Sequence, residues 1–391
     1  MSKGCPACKL GRTVAFLDLG EVPVFCNVQW STREEALAAT TGPLSLSACL
    51  DCGHVFNHAF DAKRVAYAPG YENSQHASSV FRGYAQRLVD RLIEQYGIRS
   101  RAVVDIGCGR GDLLAMLCER GGNRGFGFDP SYAGTTAADG ERQFTIQREY
   151  FGAEQAAAIR PSLVSCRHVL EHVEDPVDFL RTLRTTIEAC GDAVLYLEVP
   201  SGEELLSSQG LWDYLYEHVS YFSAQSLEAV LNAAGFEVLA MRRDFGGQFL
   251  CADARVASRP SARRPLDGQS EEMVRGAAHE MLGRLQYWRQ WASELPPDGG
   301  VSLWGAGSKG VMFLNLLGLV APGKITWAID QNADKHGLFL SGTAQQVIGP
   351  DALREREMNQ IVLMNGIYET EVRTRLASLR AVPPALKIAW P

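Results

Sequence analysis

The sequence predicts an α/β protein with two doubly wound, mainly parallel sheets behind a short, loop-rich N-terminal segment. Three observations carry that reading. Strand-like and helix-like runs alternate from Arg101 onward and again from Val301. Each alternation opens on a strand that runs straight into a glycine-rich turn. Two Cys-x-x-Cys pairs, Cys5/Cys8 and Cys49/Cys52, bracket a segment without such alternation. Alternation of this kind is the mark of a parallel sheet with helices on both faces.

Taken in order, residues 1–70 form the cysteine segment. Residues 75–98 have helical apolar spacing and stop at a glycine. "RAVVDIG" is a strand, "GDLLAMLCERG" a helix and "RGFGFDP" a strand. "SLVSC" is a further strand, "PVDFLRTLRTTIEAC" a helix and "DAVLYLEVP" a strand. A stretch rich in Pro, Ser and Arg follows Arg255 and reads as a linker. A long helix comes next, then "VSLWGAG", "SKGVMFLNLLGL", "KITWAID" and "QIVLMN" as strand, helix, strand and strand. The expected domains are 1–70, 71–255 and 256–391.

The 391 residues suffice for two or three domains, and 46% hydrophobic content gives each a normal core. A net charge of −7 speaks against a nucleic-acid binder, because affinity for a phosphate backbone comes from Lys and Arg. Arg255, Arg259, Arg263 and Arg264 form the local basic cluster, which a solvated linker explains equally well. No stretch approaches the ~18 apolar residues of a membrane span. The opening MSKGCPAC has no apolar core of a signal peptide, so a cytoplasmic chain is expected. Its ten cysteines are then metal ligands or inert thiols rather than disulfides.

Each Cys-x-x-Cys turn aims two sulfurs at one point, and two such turns make the tetrahedral site that Zn²⁺ prefers. Cys5, Cys8, Cys49 and Cys52 are therefore the expected ligands, with His54 and His58 as possible replacements for one of them. Four thiolates leave no open position, so the zinc is structural.

In "VVDIGCGRGDLL", Gly107, Gly109 and Gly111 follow a strand that ends with Asp105. Glycines there let the backbone approach a ligand closely at a helix N-terminus. Asp112 stands where a dinucleotide fingerprint wants its last glycine, so the loop departs from that fingerprint. It resembles instead motif I of class I S-adenosylmethionine (SAM) methyltransferases. Cys108 lies inside that loop. Asp129, followed by Pro130, ends the next strand and suits a ribose diol. His168 follows "SLVSC" at the rim where ligands sit in open sheets.

Across nearly its whole length the chain resembles bacterial sugar C-methyltransferases. The double Cys-x-x-Cys, "YEHVSYFSAQSL", and the pair "WGAGSKGVMFLNLLG" with "AIDQNADKHGLFLSGT" carry that resemblance. It implies a class I SAM-methyltransferase Rossmann-like core, an N-terminal zinc domain and a C-terminal Rossmann-like domain. It implies carbon methylation of a nucleotide-linked ketosugar through an enolate, in deoxysugar and antibiotic biosynthesis. Glu217 and His218 match a pair that lies beside the ketosugar in that family, and His172 matches a histidine near the cofactor. A carbon acid needs a positioned base, and His works near neutral pH. The base is a choice between His218, His172 and a tyrosine, with Tyr216 and Tyr71 the candidates, and His76 nearby. The family often has Tyr two residues before the Glu, where this chain has Leu215. Its "YHSS"-like stretch is here "YENSQHASS". These departures keep O- or N-methylation of a related intermediate open.

"GAGSKG" places Gly305, Gly307 and Gly310 after a strand, with Ser308 and Lys309 inside the loop and Asp330 about twenty residues on. On its own this is a dinucleotide fingerprint, and an NAD-dependent oxidoreductase domain is the rival reading. The family reading gives this loop the nucleotide of a sugar nucleotide, with Lys309 on phosphate. The zinc segment is then expected to close over the site, with Tyr71 and His76 reaching the substrate from that side.

Overall fold

The computed structural model describes residues 4–65, 75–132, 134, 143–189, 191–207, 210–259, 268–297 and 300–390. Tyr71 lies outside these residues.

Among the described residues there are three sheets. The central one has seven strands in the order Phe236–Asp244, Phe249–Val256, Val194–Pro200, Leu163–Arg167, Ala102–Ile106, Arg124–Phe128, Phe144–Gln147. The last five are parallel and the first two are added antiparallel. Strand order reverses between Ala102–Ile106 and Leu163–Arg167, and open sheets bind ligands at such a reversal. Helix Ser79–Tyr96 starts on Ser78, whose hydroxyl accepts from the N–H groups of Val80 and Phe81, and stops at Gly97 in the left-handed region. Its buried stripe Phe81, Tyr84, Leu88 and Leu92 packs with Leu114 and Leu117 of helix Asp112–Gly121.

The C-terminal sheet runs Ala385–Ile388, Gln360–Leu363, Val301–Trp304, Ile325–Ile329, Gln346–Ile348, Phe339–Leu340, Gln29–Trp30. Its first five strands are parallel, and its order reverses between Gln360–Leu363 and Val301–Trp304. Helix Glu271–Glu294 buries Val274, Met281, Leu285 and Trp288 in the core that also holds Phe313 and Leu17. No helix among the described residues is long and apolar enough to cross a membrane.

The N-terminal segment is not loop-rich, and this corrects the sequence expectation. It holds an antiparallel sheet ordered Thr13–Pro23, Thr41–Cys49, Val55–Asn57, Ser220–Tyr221. Register shifts between Ala15 and Leu17 and between Asp18 and Glu21 break the two-residue alternation that would have announced the first strand. The sheet is completed from far along the chain, by Ser220 and Tyr221 opposite Phe56 and Val55. Gln29–Trp30 pairs in turn with Phe339–Leu340 of the C-terminal sheet. Strand pairing therefore crosses the boundary expected at residue 70 twice.

Candidate active site and ligand crevices

Gly107, Gly109 and Gly111 all have positive φ (66°, 53° and 82°), which lets the chain turn sharply into helix Asp112–Gly121. A Cβ on Gly107 would run into Val169, and one on Gly111 would stand 2.9 Å from Phe144. A Cβ on Gly109 would meet nothing within 4 Å. That glycine faces the open space a cofactor needs. Asp129 Oδ2 accepts from Gly109 N at 2.8 Å, and its Oδ1 accepts from the N–H and hydroxyl of Ser131. Asp105 is buried and accepts from the Ser165 hydroxyl; burial pushes its carboxyl up to about 6. Cys108 packs its sulfur toward Gly127, and burial with Asp105 and Asp129 nearby pushes the thiol up. Pro130 follows Asp129 and its carbonyl accepts from Arg148. The glycine cradle, the helix N-terminus and the paired acids fit SAM.

Across the reversal sits a residue the motifs did not single out. Glu198, on strand Val194–Pro200, is fully buried. One of its oxygens accepts from Arg167 Nε and Nη2 at 2.9 and 2.7 Å, with His168 Nε2 at 3.1 Å. The other accepts from the hydroxyls of Tyr84 and Tyr196. Burial alone would raise this acid, but Arg167 and His168 hold it well below the usual carboxylate range. A lone Glu inside the apolar run "LYLEVP" was the available signal.

His168 lies between two acids. Its Nδ1 is 3.3 Å from Glu171 Oε1 and its backbone φ is 51°. Burial pushes its pKa down, but Glu171 and Glu198 outweigh burial and raise it to about 9. His76 stands in the turn ahead of helix Ser79–Tyr96, edge-on to Phe81 at 5.1 Å. Burial lowers its pKa, with Asp112 and Arg167 close enough to be felt.

His172 and His218 lie together, with ring centroids 4.8 Å apart. His172 Nδ1 lies 3.0 Å from the Glu217 carbonyl, which can only accept, so Nδ1 donates that hydrogen bond. Burial, then His172, His168 and Lys309, hold His218 well below the usual imidazole range, so it is a neutral base at pH 7. Its buried Nδ1 has no hydrogen-bond partner among the described residues. Glu217 is buried, and its Oε1 accepts from Cys26 N of the N-terminal segment at 3.3 Å. Tyr216 turns away from the histidines' polar atoms toward Asp61: its hydroxyl accepts from Asp61 N at 3.0 Å and donates to Asp61 O at 3.3 Å.

The second crevice, about 190 Å³, lies at the reversal of the C-terminal sheet. Trp304, Gly305, Ser308, Lys309, Asp330 and Tyr368 line it, with Asn27 and Ser78 contributed from outside that domain. Gly305 has φ 116°, and a Cβ on Gly310 would strike the Gly305 carbonyl, so helix Ser308–Leu317 needs glycine there to pack against its strand. Gly307 is that helix's N-cap. Asp330 Oδ2 accepts from Ala306 N at 3.0 Å, the counterpart of the Asp129–Gly109 bond in the first loop. Lys309 Nζ lies 3.0 Å from Asp213 Oδ1 and 4.7 Å from the centre of a Trp390 ring. Arg110, in the first loop, pairs with Asp334, four residues after Asp330, at 2.7 Å. The first glycine loop is thus tied to the turn that follows Ile325–Ile329.

The four sulfurs of Cys5, Cys8, Cys49 and Cys52 all lie within 4.8 Å of one another. Cys5–Cys52 is 3.7 Å and Cys8–Cys49 is 3.6 Å. Those separations match a tetrahedron of sulfurs about 2.3 Å from a central ion. His54 is buried with Nε2 3.2 Å from Ser220 Oγ, and His58 Nδ1 is 2.9 Å from Ser47 Oγ.

Residues 78–241 match the family model for a methyltransferase domain, and residues 289–386 match that for a C-methyltransferase C-terminal domain. The C-methyltransferase NovU of Streptomyces niveus is 24% identical over 387 residues, covering 94% of this chain and 90% of that protein. A tRNA U34 carboxymethyltransferase of Aliivibrio salmonicida is 28% identical over 162 residues, 38% of this chain and 48% of that protein. Among solved structures, the 1,6-didemethyltoxoflavin-N1-methyltransferase of Burkholderia thailandensis is 19% identical over 46% of this chain and 82% of its own, with a TM-score of 0.34. The chain is a SAM-dependent methyltransferase. Its C-terminal part matches the model of a C-methyltransferase C-terminal domain, and its similarity to one C-methyltransferase covers 94% of its length.

Proposed function

We propose that this enzyme methylates the carbon beside a ketone in a nucleotide-linked sugar, in deoxysugar and natural-product biosynthesis. One observation carries the reading. A single buried segment, Leu211 to Tyr221, ties the second glycine loop to the histidine pair through Lys309–Asp213 at one end and His218 at the other. A ligand anchored in the second crevice would extend toward a neutral base. The crevice suits a nucleoside diphosphate, with the helix N-terminus and Lys309 for phosphate. The C-methyltransferase C-terminal match favours this use over an NAD-dependent oxidoreductase.

SAM, when bound in the first crevice, supplies an electrophilic methyl group. His218 takes the proton from the carbon beside the ketone, leaving an enolate. The carbon–methyl bond forms as the methyl–sulfur bond breaks, and the imidazolium later returns its proton to water. His172 shares the pocket, its ring 4.8 Å from that of His218. Alignment of the two ligands supplies much of the acceleration. The four cysteines hold a structural zinc that closes the N-terminal sheet.

The test is solvent exchange in D₂O with a panel of nucleotide-linked 4-ketosugars, with and without SAM. Deuterium beside the ketone, lost in His218→Asn, supports carbon methylation. Methyl transfer to a hydroxyl or amine without exchange on any ketone would replace it with O- or N-methylation.

A further inference from the structure

Glu171 sits in the short turn Leu170–His172, fully buried, and neither of its oxygens has a hydrogen-bond partner among the described residues. A buried carboxylate without a hydrogen bond is costly unless a charge faces it. Two sets of groups do. His168 Nδ1 approaches one oxygen at 3.3 Å. A carboxylate oxygen of Glu171 and one ring nitrogen each of His172 and His218 lie within 4.8 Å of one another. His218 contributes a buried Nδ1 that also lacks a partner. Glu171, His172 and His218 thus stand in one largely buried cluster.

We infer that Glu171 is a positioning residue of the methyl-transfer site, its carboxylate balancing the charge His218 gains on taking the substrate proton. The inference rests on His218 being the base. His172, His168 and Lys309 all carry or can carry positive charge around His218 and disfavour a second cation there. Glu171 pairs with His168 Nδ1 and lies in one cluster with His172 and His218, while Glu198 and Arg167 pair on the far side of His168. In low dielectric a fixed carboxylate is worth far more to a developing imidazolium than it is in water. Glu171 itself exchanges no proton: the proton moves from carbon to His218 and from His218 to water.

Glu171→Gln keeps the shape and removes the charge. With thymidine diphosphate 4-keto-6-deoxyglucose in D₂O, exchange should fall about 100-fold, while SAM affinity stays within about twofold. The acid limb of the exchange–pH profile should move to lower pH, because losing the anion makes His218 less basic. A merely structural role would lower melting temperature and rate but leave that limb in place. An unchanged rate and an unmoved limb overturn the inference. Should Glu171→Gln not fold, Glu171→Asp keeps the charge but withdraws it; an acid limb moved to lower pH supports the proposal and an unmoved limb overturns it. If His218→Asn abolishes exchange while Glu171→Gln does not, this inference alone falls. Exchange that persists in His218→Asn removes this inference and His218 as the base but leaves carbon methylation standing; exchange absent from the wild type on every nucleotide-linked 4-ketosugar removes both.

Discussion

Lys309 in the second glycine loop pairs with Asp213, five residues ahead of His218, at 3.0 Å. A phosphate arriving at that loop competes with Asp213 for the same ammonium. Lys309→Met should therefore weaken binding of thymidine or uridine diphosphate at least about 10-fold and leave SAM affinity unchanged, as read by calorimetry. Tight NADH binding with a change in its fluorescence would instead point to the dinucleotide reading of this crevice.

Gly107 and Gly109 separate the two duties of the first loop. Gly107→Ala must push a methyl into Val169 at positive φ, so it should lower melting temperature sharply. Gly109→Ala meets open space at φ 53° and should cost about 1 kcal/mol of stability. Its methyl occupies cofactor space, so SAM affinity should fall at least about 10-fold. Equal effects of the two changes on melting and on SAM binding would show that the cradle is misassigned.

The purified protein should carry one zinc per chain. Cys49→Ser should lose the metal and lower melting temperature, because ligand binding energy here is folding energy. Zinc analysis beside a melting curve checks this. A Cys49→Ser protein that melts like the wild type would remove the structural role.

His168 and His218 give stability opposite pH limits. The folded pKa of His168 is raised to about 9 from an ordinary 6.5, so its contribution is complete below pH 6.5 and lost as pH rises through 9. That contribution is at most about 3 kcal/mol. His218 is held neutral with a lowered pKa, so stability is lost as pH falls below the ordinary imidazole range. Melting temperature should peak near neutral pH, and His168→Gln should flatten the alkaline side. An alkaline decline equally steep in His168→Gln would show that another group causes it.

Tyr216→Phe distinguishes a base from a strut. Its hydroxyl is spent on the Asp61 backbone, and its ring fills the space beside Gly42. Loss of the hydroxyl should cost about 1 kcal/mol and leave solvent exchange at the wild-type rate. Abolished exchange with unchanged stability would return Tyr216 to the list of bases.

Glycines and cysteines made much of this architecture readable, because each marks a backbone or coordination demand that few other residues meet. Gly107, Gly305 and the four clustered cysteines are of that kind. Elements whose cause lies elsewhere in the chain stayed hidden. Strand Thr13–Pro23 is masked by its own bulges, and Ser220–Tyr221 is a strand only because Val55–Asn57 lies beside it. Glu198 is a single acid in an apolar run, and Glu171 is one of three acids within HVLEHVEDP, three residues after His168. The partners of Glu198 (Arg167, His168 and Tyr84) and the nearness of Glu171 to His218 come from other elements, which no spacing rule connects to them.

The pairing of Gln29–Trp30 with Phe339–Leu340, and of Val55–Asn57 with Ser220–Tyr221, sets a timetable for synthesis. A nascent chain that has delivered the cysteine segment holds two strand edges whose mates have not yet been translated. One must wait for the middle domain and the other for almost the entire polypeptide. Exposed edges of this kind invite pairing with the wrong chain. Expression as separate fragments should accordingly give insoluble N-terminal pieces, and solubility should return when the remainder is supplied alongside.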